Sequence, residues 1–423
     1  MKKIYLTLYL LFFSTSAFAF DVCEHEKKFS NIWYYNNCDD NLLQSTNQKS
    51  KIGKTSNNPW KGYPYNSNEI PSKAKPDEKI LKHYLKKYIK HHAEVDWKVK
   101  VKASDNYKKL KFELTNNDDV NKQMNKTALL SYLMYENGIV TIDEINEKYE
   151  KNFKNKTLYM SHSVGKSLIS YITGHAICKG YIGNIHQPID WDVLENTLYE
   201  GQPIINLLNM ASGDQKYVDS MMGLKNSKRW INSVSIESVM KKELKDSKVG
   251  KLKYNYSNLD TNIVASYLVY KMGNKEFKKL VKEILVDKAG IEYNVKAFKK
   301  NGKGISYNYY ASRYDYLRIS IAMLEDWNNN TCEGQYLKSL YENRIDKWSE
   351  ELGKERNIME TTNSYNGQFY SDINGIDRPI FVMDGFGGQS HVIDFEKNRV
   401  ISLLAIHRNY DIKLTHLKKL KQQ

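Results

Sequence analysis

The segment from Tyr159 to Leu168 reads YMSHSVGKSL and places a lysine three residues after a serine. Apolar residues recur at helical spacing from Val164 to Ile177, and Gly180 then ends the pattern. A spacing of three puts Ser163 and Lys166 one turn apart on the same helix face. There an amine that burial or a nearby cation keeps neutral can accept the serine proton. The segment therefore predicts a buried helix that begins at a nucleophile.

The same Ser-x-x-Lys spacing also occurs at Ser72 and at Ser238. Ser72 lies between Pro71 and Pro76, which indicates a loop. Ser238 is followed by a charged stretch that ends at Glu243 and is typical of a solvated helix face. Only Ser163 leads into a helix apolar enough to be buried, so we take it as the candidate nucleophile.

Length and composition set broad limits on the protein class. The chain has 423 residues, 41% of them hydrophobic, with 32 tyrosines and a net charge of +15. These values predict a folded protein of one large or two ordinary domains. The charge indicates a basic, soluble surface, with attraction to anionic cell wall or lipid headgroups as the alternative. No single basic stripe stands out.

The first nineteen residues have the pattern of a secretory signal peptide. Lys2 and Lys3 precede an apolar run over residues 4–13, and Ala17-Phe18-Ala19 forms a small-x-small cleavage site. The run is too short to span a membrane, so no stable membrane insertion is expected. We predict export across the inner membrane, a periplasmic location and no nucleic-acid partner.

Four cysteines in an exported chain favour disulfides. Cys23 and Cys38 are close in sequence, and we expect them to be bonded. Cys178 either pairs with the distant Cys332 or remains a buried thiol, and the sequence leaves both open.

The adjacent histidines at 91 and 92 end a helical pattern that starts near Asp77. No His-Glu-x-x-His motif or partner at ligand spacing occurs. We predict a solvated helix end and no metal.

Element patterns predict an α+β fold, an α/β sandwich. Its antiparallel sheet is built from both ends of the chain and flanked by helices, with an inserted all-helical region at about 180–250. We divide the chain into a signal peptide (1–19), an N-terminal arm with a helix and strands (20–127) and a main domain (128–423). The patterns comprise strands at 97–101 and 110–114, a hairpin at 128–142, helices from Trp230, after Tyr256 and from Ala311, a hairpin at 392–406 and a basic helix from Asp411.

Three motifs in order resemble those of the penicillin-binding-protein and class C β-lactamase superfamily of serine hydrolases. The resemblance runs from about Leu129 to Ile406. The motifs are Ser163-x-x-Lys166, Tyr256-x-Asn258 and a glycine-rich strand at Phe386-Gly387-Gly388, where many relatives carry Lys-Thr-Gly. We expect an exported hydrolase that needs no cofactor and acts on a small-molecule ester or amide, with cell-wall components among the candidates. The oligomeric state is not indicated.

This resemblance implies acyl transfer. Ser163 attacks a carbonyl to form an acyl-enzyme, Lys166 accepts its proton, and the Tyr256 phenol relays a proton to the leaving group. Whether Lys166 or ionised Tyr256 is the base stays open. Asn258 is expected to hold Lys166 or the substrate amide.

The resemblance also implies an oxyanion site between the backbone N–H groups of Ser163 and Gln389. Gly387 and Gly388 would let the backbone approach the substrate closely there.

Phe386 is the main departure from the family pattern. Relatives that bind a substrate carboxylate often have lysine here, whereas an aromatic residue resembles the esterase and amide-hydrolase branches. The alternative function is a non-catalytic binding protein on the same fold, whose partner surface would be the segment before residue 128.

Overall fold

The computed structural model describes residues 78–93, 96–126, 128–218, 235–301, 304–347, 362–406 and 420. Several predictions lie outside these residues: the signal peptide, the arm up to about residue 75, the Cys23–Cys38 disulfide, Ser72 and the start of the last helix at Asp411. The described part has the predicted α+β fold with flanking helices, but it contains two sheets rather than one.

As far as the structure describes it, the large sheet has nine strands in the order β2-β4-β3-β14-β13-β12-β11-β10-β9, and every pair is antiparallel except β2 with β4. Strand β3 comes from the first half of the chain and pairs with β14, so both ends of the chain build this sheet, as predicted. The strands in the described residues are β1 (Trp97–Val101), β2 (Lys111–Phe112), β3 (Leu129–Glu136), β4 (Ile139–Ile145), β5 (Tyr159–Met160), β6 (Val295–Asn301), β7 (Gly304–Ile305), β8 (Tyr309–Ala311), β9 (Ile345–Asp346), β10 (Thr362–Asn366), β11 (Phe369–Ile373), β12 (Ile380–Gly385), β13 (Gln389–Asp394) and β14 (Arg399–Ala405).

The predicted hairpin between β3 and β4 is confirmed. Its turn consists of Asn137 and Gly138, whose φ angles are 48° and 93°. Two consecutive positive φ angles match the twist of a two-residue hairpin, which explains the Asn-Gly pair. The predicted strand at 110–114 is wrong in extent, because only Lys111 and Phe112 form a strand, at the exposed edge beside β4.

The small sheet, in the order β1-β6-β8-β5 with β7 beside β6, was not predicted. Strand β1 has the predicted bounds, but its partner β6 lies about two hundred positions later in the chain. Strand β5 pairs with β8 and runs directly into the segment that carries Ser163. This sheet therefore aims the chain at the start of the candidate nucleophile helix.

Eight helices are described, with Cys178 and Cys332 bonded to each other between two of them. Cys178 ends α3 and Cys332 begins α8, which settles the alternative that the sequence left open. The region around 180–250 contains short helices and turns in its described part. The helices are α1 (Glu78–Lys90), α2 (Asp118–Lys126), α3 (Val164–Cys178), α4 (Ile204–Leu208), α5 (Ile236–Glu243), α6 (Asn258–Lys282), α7 (Arg313–Asn328) and α8 (Cys332–Glu342).

One predicted helix start is corrected by the structure, and another lies outside the described residues. The helix predicted from Ala311 begins at Arg313, because Ala311 pairs in β8 and the Ser312 hydroxyl accepts a bond from the Asp315 N–H. Helix α5 begins at Ile236 with Ser235 as its cap, and the predicted start at Trp230 lies outside the described residues.

Helix α3 lies in the core, as its apolar pattern predicted. All residues from Val164 to Ala176 are buried. Gly174 allows this packing, because a Cβ there would lie 2.4 Å from the Tyr336 ring of α8. No helix in the described part of the chain is both long and apolar enough to cross a membrane.

Candidate active site

Ser163 occupies the cap position at the start of α3, but its side chain does not cap the helix. Its hydroxyl oxygen instead accepts a hydrogen bond of 2.7 Å from the Tyr256 hydroxyl. The residue before it, His162, has a φ of 47°, which forms the sharp turn from β5 into α3. The serine hydroxyl is thus available for chemistry at the end of a buried helix.

Lys166 lies one helical turn after Ser163 and is only 1% exposed. Its Nζ donates a 2.6 Å hydrogen bond to Asn258 Oδ1. The same Nζ lies 3.6 Å from the centroid of the Tyr307 ring and 5.0 Å from that of the Tyr256 ring. Burial favours the neutral amine, whereas the amide oxygen and the ring faces favour the ammonium.

Tyr256 and Asn258 owe their positions to the start of α6. Ser257 between them is the cap residue, and its hydroxyl accepts from the Asp260 N–H at 3.2 Å. This cap fixes the chain so that Tyr256 and Asn258 reach Ser163 and Lys166 from one side. The structure therefore brings together the four residues that the first two motifs predicted, while their chemical roles stay predictions.

The third motif is a turn and not a strand, which corrects the sequence prediction. Strand β12 ends at Gly385 and β13 begins at Gln389, so the residues 386–388 connect them. Gly387 and Gly388 have φ angles of 87° and 98°, a region that side chains rarely allow. A Cβ on Gly385 would lie 2.7 Å from the Ser161 carbonyl oxygen, so this end of β12 packs on the nucleophile turn.

Gln389 has a buried side chain that donates to the Ala405 carbonyl at 3.3 Å. Its amide nitrogen is thus used within the sheet. The oxyanion role of the Ser163 and Gln389 N–H groups stays a prediction.

Two aromatic residues near the site were missed by the sequence analysis. Tyr307 precedes β8 and contacts Lys166. Tyr88 on α1 packs edge-to-face on His162 with ring centroids 4.8 Å apart, and His162 packs in turn on Phe386 at 5.6 Å. In a chain with 32 tyrosines, no spacing distinguishes these two from the rest.

The other described Ser-x-x-Lys pair has a different environment. Ser238 lies in the first turn of α5, where its backbone N–H donates to the Ser235 cap, and Lys241 is exposed. This agrees with the predicted solvated face. Within the described residues, no three His, Cys, Asp or Glu side chains lie close enough together to hold a metal ion.

A buried pair of carboxyl groups lies at the start of α6, where Asp260 follows Asn258 by two residues. The Tyr199 hydroxyl is 2.6 Å from Asp214 Oδ2 and 2.9 Å from Asp260 Oδ1. A phenol has one proton, so it can donate to only one of them. Burial, with the nearby Asp214 carboxylate, raises the pKa of Asp260 to about 8. Asp260 therefore carries a proton at neutral pH and can donate to the Tyr199 oxygen.

This proton makes stability depend on pH. The raised pKa means that folded Asp260 keeps its proton between about pH 4 and about pH 8, where the unfolded chain has lost it. The stabilising contribution is complete below about pH 4 and is lost as the pH rises to about 8. We expect the free energy of unfolding to fall by up to about 1.4 kcal/mol per pH unit from this group.

The measurement is denaturant unfolding at pH 5 and pH 7 for the wild type and Asp260→Asn. The asparagine variant should lose less stability between the two pH values. Subtracting the loss in one protein from the loss in the other cancels the contributions of other titrating groups. Lys347 is one such group, because burial lowers its pKa well below the usual value. Asp246→Asn, at an exposed position, is the control. Equal losses in the wild type and Asp260→Asn would contradict the assignment.

Comparison with known proteins identifies the fold. A “putative 6-aminohexanoate-dimer hydrolase” from Bacillus anthracis is 17% identical, with a TM-score of 0.61 over 84% of this chain and 99% of that one. An octameric penicillin-binding protein homologue from Pyrococcus abyssi is 14% identical, with a TM-score of 0.53 over 71% of this chain and 76% of that one. A D-amino acid amidase from Ochrobactrum anthropi is 12% identical, with a TM-score of 0.50 over 70% of this chain and 92% of that one.

At such identities the likeness shows the fold alone. The chain has the fold of the β-lactamase and penicillin-binding-protein-like hydrolases, and the resemblance inferred from the motifs is confirmed at that level. No family model matches the chain, and no curated protein matches it.

Proposed function

We propose that this protein is a serine hydrolase that cleaves an ester or amide through an acyl-enzyme at Ser163. The observation that carries the proposal is the 2.7 Å hydrogen bond between the Tyr256 hydroxyl and Ser163 Oγ, beside the buried Lys166. A nucleophile within hydrogen-bond reach of a proton carrier, itself held by further groups, is the arrangement that acyl transfer requires.

In the proposed reaction, Ser163 Oγ attacks the substrate carbonyl carbon and loses its proton to the Lys166–Tyr256 pair. The negative oxygen that forms is stabilised by the backbone N–H groups of Ser163, at the start of α3, and Gln389, the first residue of β13. Collapse of this intermediate breaks the bond to the alcohol or amine, which takes a proton from Tyr256. Water then repeats the sequence on the acyl-enzyme and releases the acid.

Two further features support the proposed compartment and the proposed substrate class. The Cys178–Cys332 disulfide fits an oxidising compartment, which supports export and a periplasmic location. Phe386 in place of a lysine supports a neutral substrate, and the names of the amidase and the dimer hydrolase that share the fold are compatible with amide chemistry.

The test is labelling with a serine-directed fluorophosphonate probe, followed by mass spectrometry of the modified peptide. The wild type should be labelled at Ser163, and Ser163→Ala should not be labelled. Ser72→Ala and Ser238→Ala are matched controls from the same Ser-x-x-Lys pattern and should be labelled normally. Labelling that persists in Ser163→Ala would overturn the proposal, and a wild type that is never labelled would favour the non-catalytic binding protein.

A further inference from the structure

Tyr307 contacts the candidate base and its partner with two different parts of its side chain. Its hydroxyl donates a 2.9 Å hydrogen bond to Asn258 Oδ1, the same oxygen that accepts from Lys166. The face of its ring lies 3.6 Å from Lys166 Nζ, closer than the Tyr256 ring at 5.0 Å. The Lys166 amine therefore lies between the amide oxygen of Asn258 and an aromatic face. Tyr307 orients that oxygen through its hydroxyl and supplies the aromatic face through its ring.

The backbone of Tyr307 is fixed by the two helices that carry the site. Its N–H donates to Asn262 Oδ1 at 3.2 Å, and Asn262 lies one turn after Asn258 on α6. Its carbonyl oxygen lies against α3, where a Cβ on Gly165 would come within 2.2 Å of it. Gly165, directly before Lys166, is thus the residue that lets this segment approach the nucleophile helix. The position of Tyr307 is set independently of its side-chain contacts.

An aromatic face attracts an ammonium and gives nothing comparable to a neutral amine. A ring this close to Lys166 Nζ, in a site from which water is largely excluded, therefore favours the protonated amine and opposes the effect of burial. The hydroxyl has a separate task, because its bond helps to turn Asn258 Oδ1 toward Lys166. The Asn258 amide hydrogens then lie on the opposite side of that group.

We propose that Tyr307 is a positioning residue that sets the protonation state of Lys166 through its ring and the orientation of Asn258 through its hydroxyl. The proposal rests on the proposed function for its kinetic consequences, but not for the protonation itself. It assigns the two parts of one side chain to two separable effects. Tyr307→Phe removes the hydroxyl alone, and Tyr307→Leu removes the ring as well.

The first experiment measures kcat/KM for a neutral chromogenic ester against pH in the wild type and both variants. One limb of this pH profile reports the ionisation of Lys166. Loss of a cation–ring contact of about 0.5–2 kcal/mol should move that limb by roughly 0.4–1.5 units to lower pH in Tyr307→Leu. The limb moves to lower pH whether catalysis needs the neutral amine or the ammonium of Lys166. In both cases the variant lacks a ring that stabilises the ammonium. Tyr307→Phe should keep the limb in place, with a lower rate from the less constrained Asn258.

A purely structural role would lower the rate of Tyr307→Leu at every pH without moving the limb. Tyr336→Leu is the matched control, because this buried tyrosine packs on Gly174, near the other end of α3. It should leave the limb unchanged. A limb that stays fixed in Tyr307→Leu, in an enzyme that the fluorophosphonate probe still labels, would overturn the proposal and leave the proposed function intact.

The second experiment needs no catalysis. NMR of protein labelled with ¹³C,¹⁵N-lysine follows the Lys166 side chain through a pH titration, with its signal assigned by its loss in Lys166→Arg. The Lys166 midpoint should fall in Tyr307→Leu relative to the wild type and stay nearly constant in Tyr307→Phe. Equal midpoints in all three proteins would overturn the proposal even if the protein hydrolyses nothing.

Discussion

Replacing Tyr256 with phenylalanine is expected to lower kcat/KM for a neutral ester by about 10²- to 10⁴-fold, the range that a positioned proton-transfer group contributes. The Tyr256 hydroxyl donates to Ser163 Oγ at 2.7 Å, so its removal takes away the proton carrier in contact with the nucleophile. The ring is 5% exposed and packs in the same way in phenylalanine, so the fold should persist. The measurement is steady-state kinetics, with the loss in kcat rather than in KM.

Tyr365→Phe provides the matched comparison for this variant. Tyr365 is a buried tyrosine of the same cluster, and its ring centroid lies 5.0 Å from that of Tyr254. Its loss of a hydroxyl should leave kcat nearly unchanged. A Tyr256→Phe enzyme with wild-type kcat would show that the proton reaches the leaving group by another path, and it would favour Lys166 as the sole base.

Local patterns predicted the elements that carry the site. The period of apolar residues after Ser163 gave a buried helix, and the structure extends it from Val164 to Cys178. The Asn137-Gly138 pair fixed the first hairpin because both residues adopt positive φ. These signals are readable because each depends on neighbours within a few residues of the chain.

Non-local pairing could not be read in the same way. Val99 of β1 faces Ala297 of β6, and β5 and β8 are only two and three residues long. Strands of that length have no usable alternation, and nothing local selects a partner so far along the chain. The small sheet could therefore be recognised only in the structure, although its strand β5 leads directly into the segment that carries Ser163.

The residues of the candidate site differ in the same way in how well the sequence predicts them. The Ser163–Lys166 spacing is a property of one helix, whereas only the resemblance to the superfamily predicted that Tyr256 and Asn258 would join them. Tyr307 reaches Lys166 from a loop outside every motif, so no sequence signal marks it. The segment 386–388 was predicted as a strand from the resemblance to relatives that carry Lys-Thr-Gly there, although a Gly-Gly pair between two strands is itself a turn signal.

The turn at 386–388 is also expected to determine whether the enzyme prefers a neutral or an anionic substrate. Phe386 is partly buried against His162 at the start of this turn. A lysine here would offer a substrate carboxylate a charge-assisted hydrogen bond of about 1.5–3 kcal/mol, or roughly ten- to a hundredfold in binding. The face of a phenylalanine ring instead repels an anion and favours apolar or cationic groups. We therefore expect the wild type to acylate faster with a neutral ester than with a penicillin of similar size.

Phe386→Lys should reverse much of that preference, by raising the second-order acylation rate with the penicillin about ten- to a hundredfold and leaving the neutral ester without such a gain. Phe386→Leu separates the two causes, because it removes the ring without adding a charge and should help the anion far less than lysine does. The comparison uses stopped-flow acylation rates for both substrates in all three proteins. If the wild type already prefers the penicillin and Phe386→Lys brings no gain for it, another cation binds the carboxylate. Phe386 would then not determine substrate charge, because a second positive group beside an occupied carboxylate site adds little.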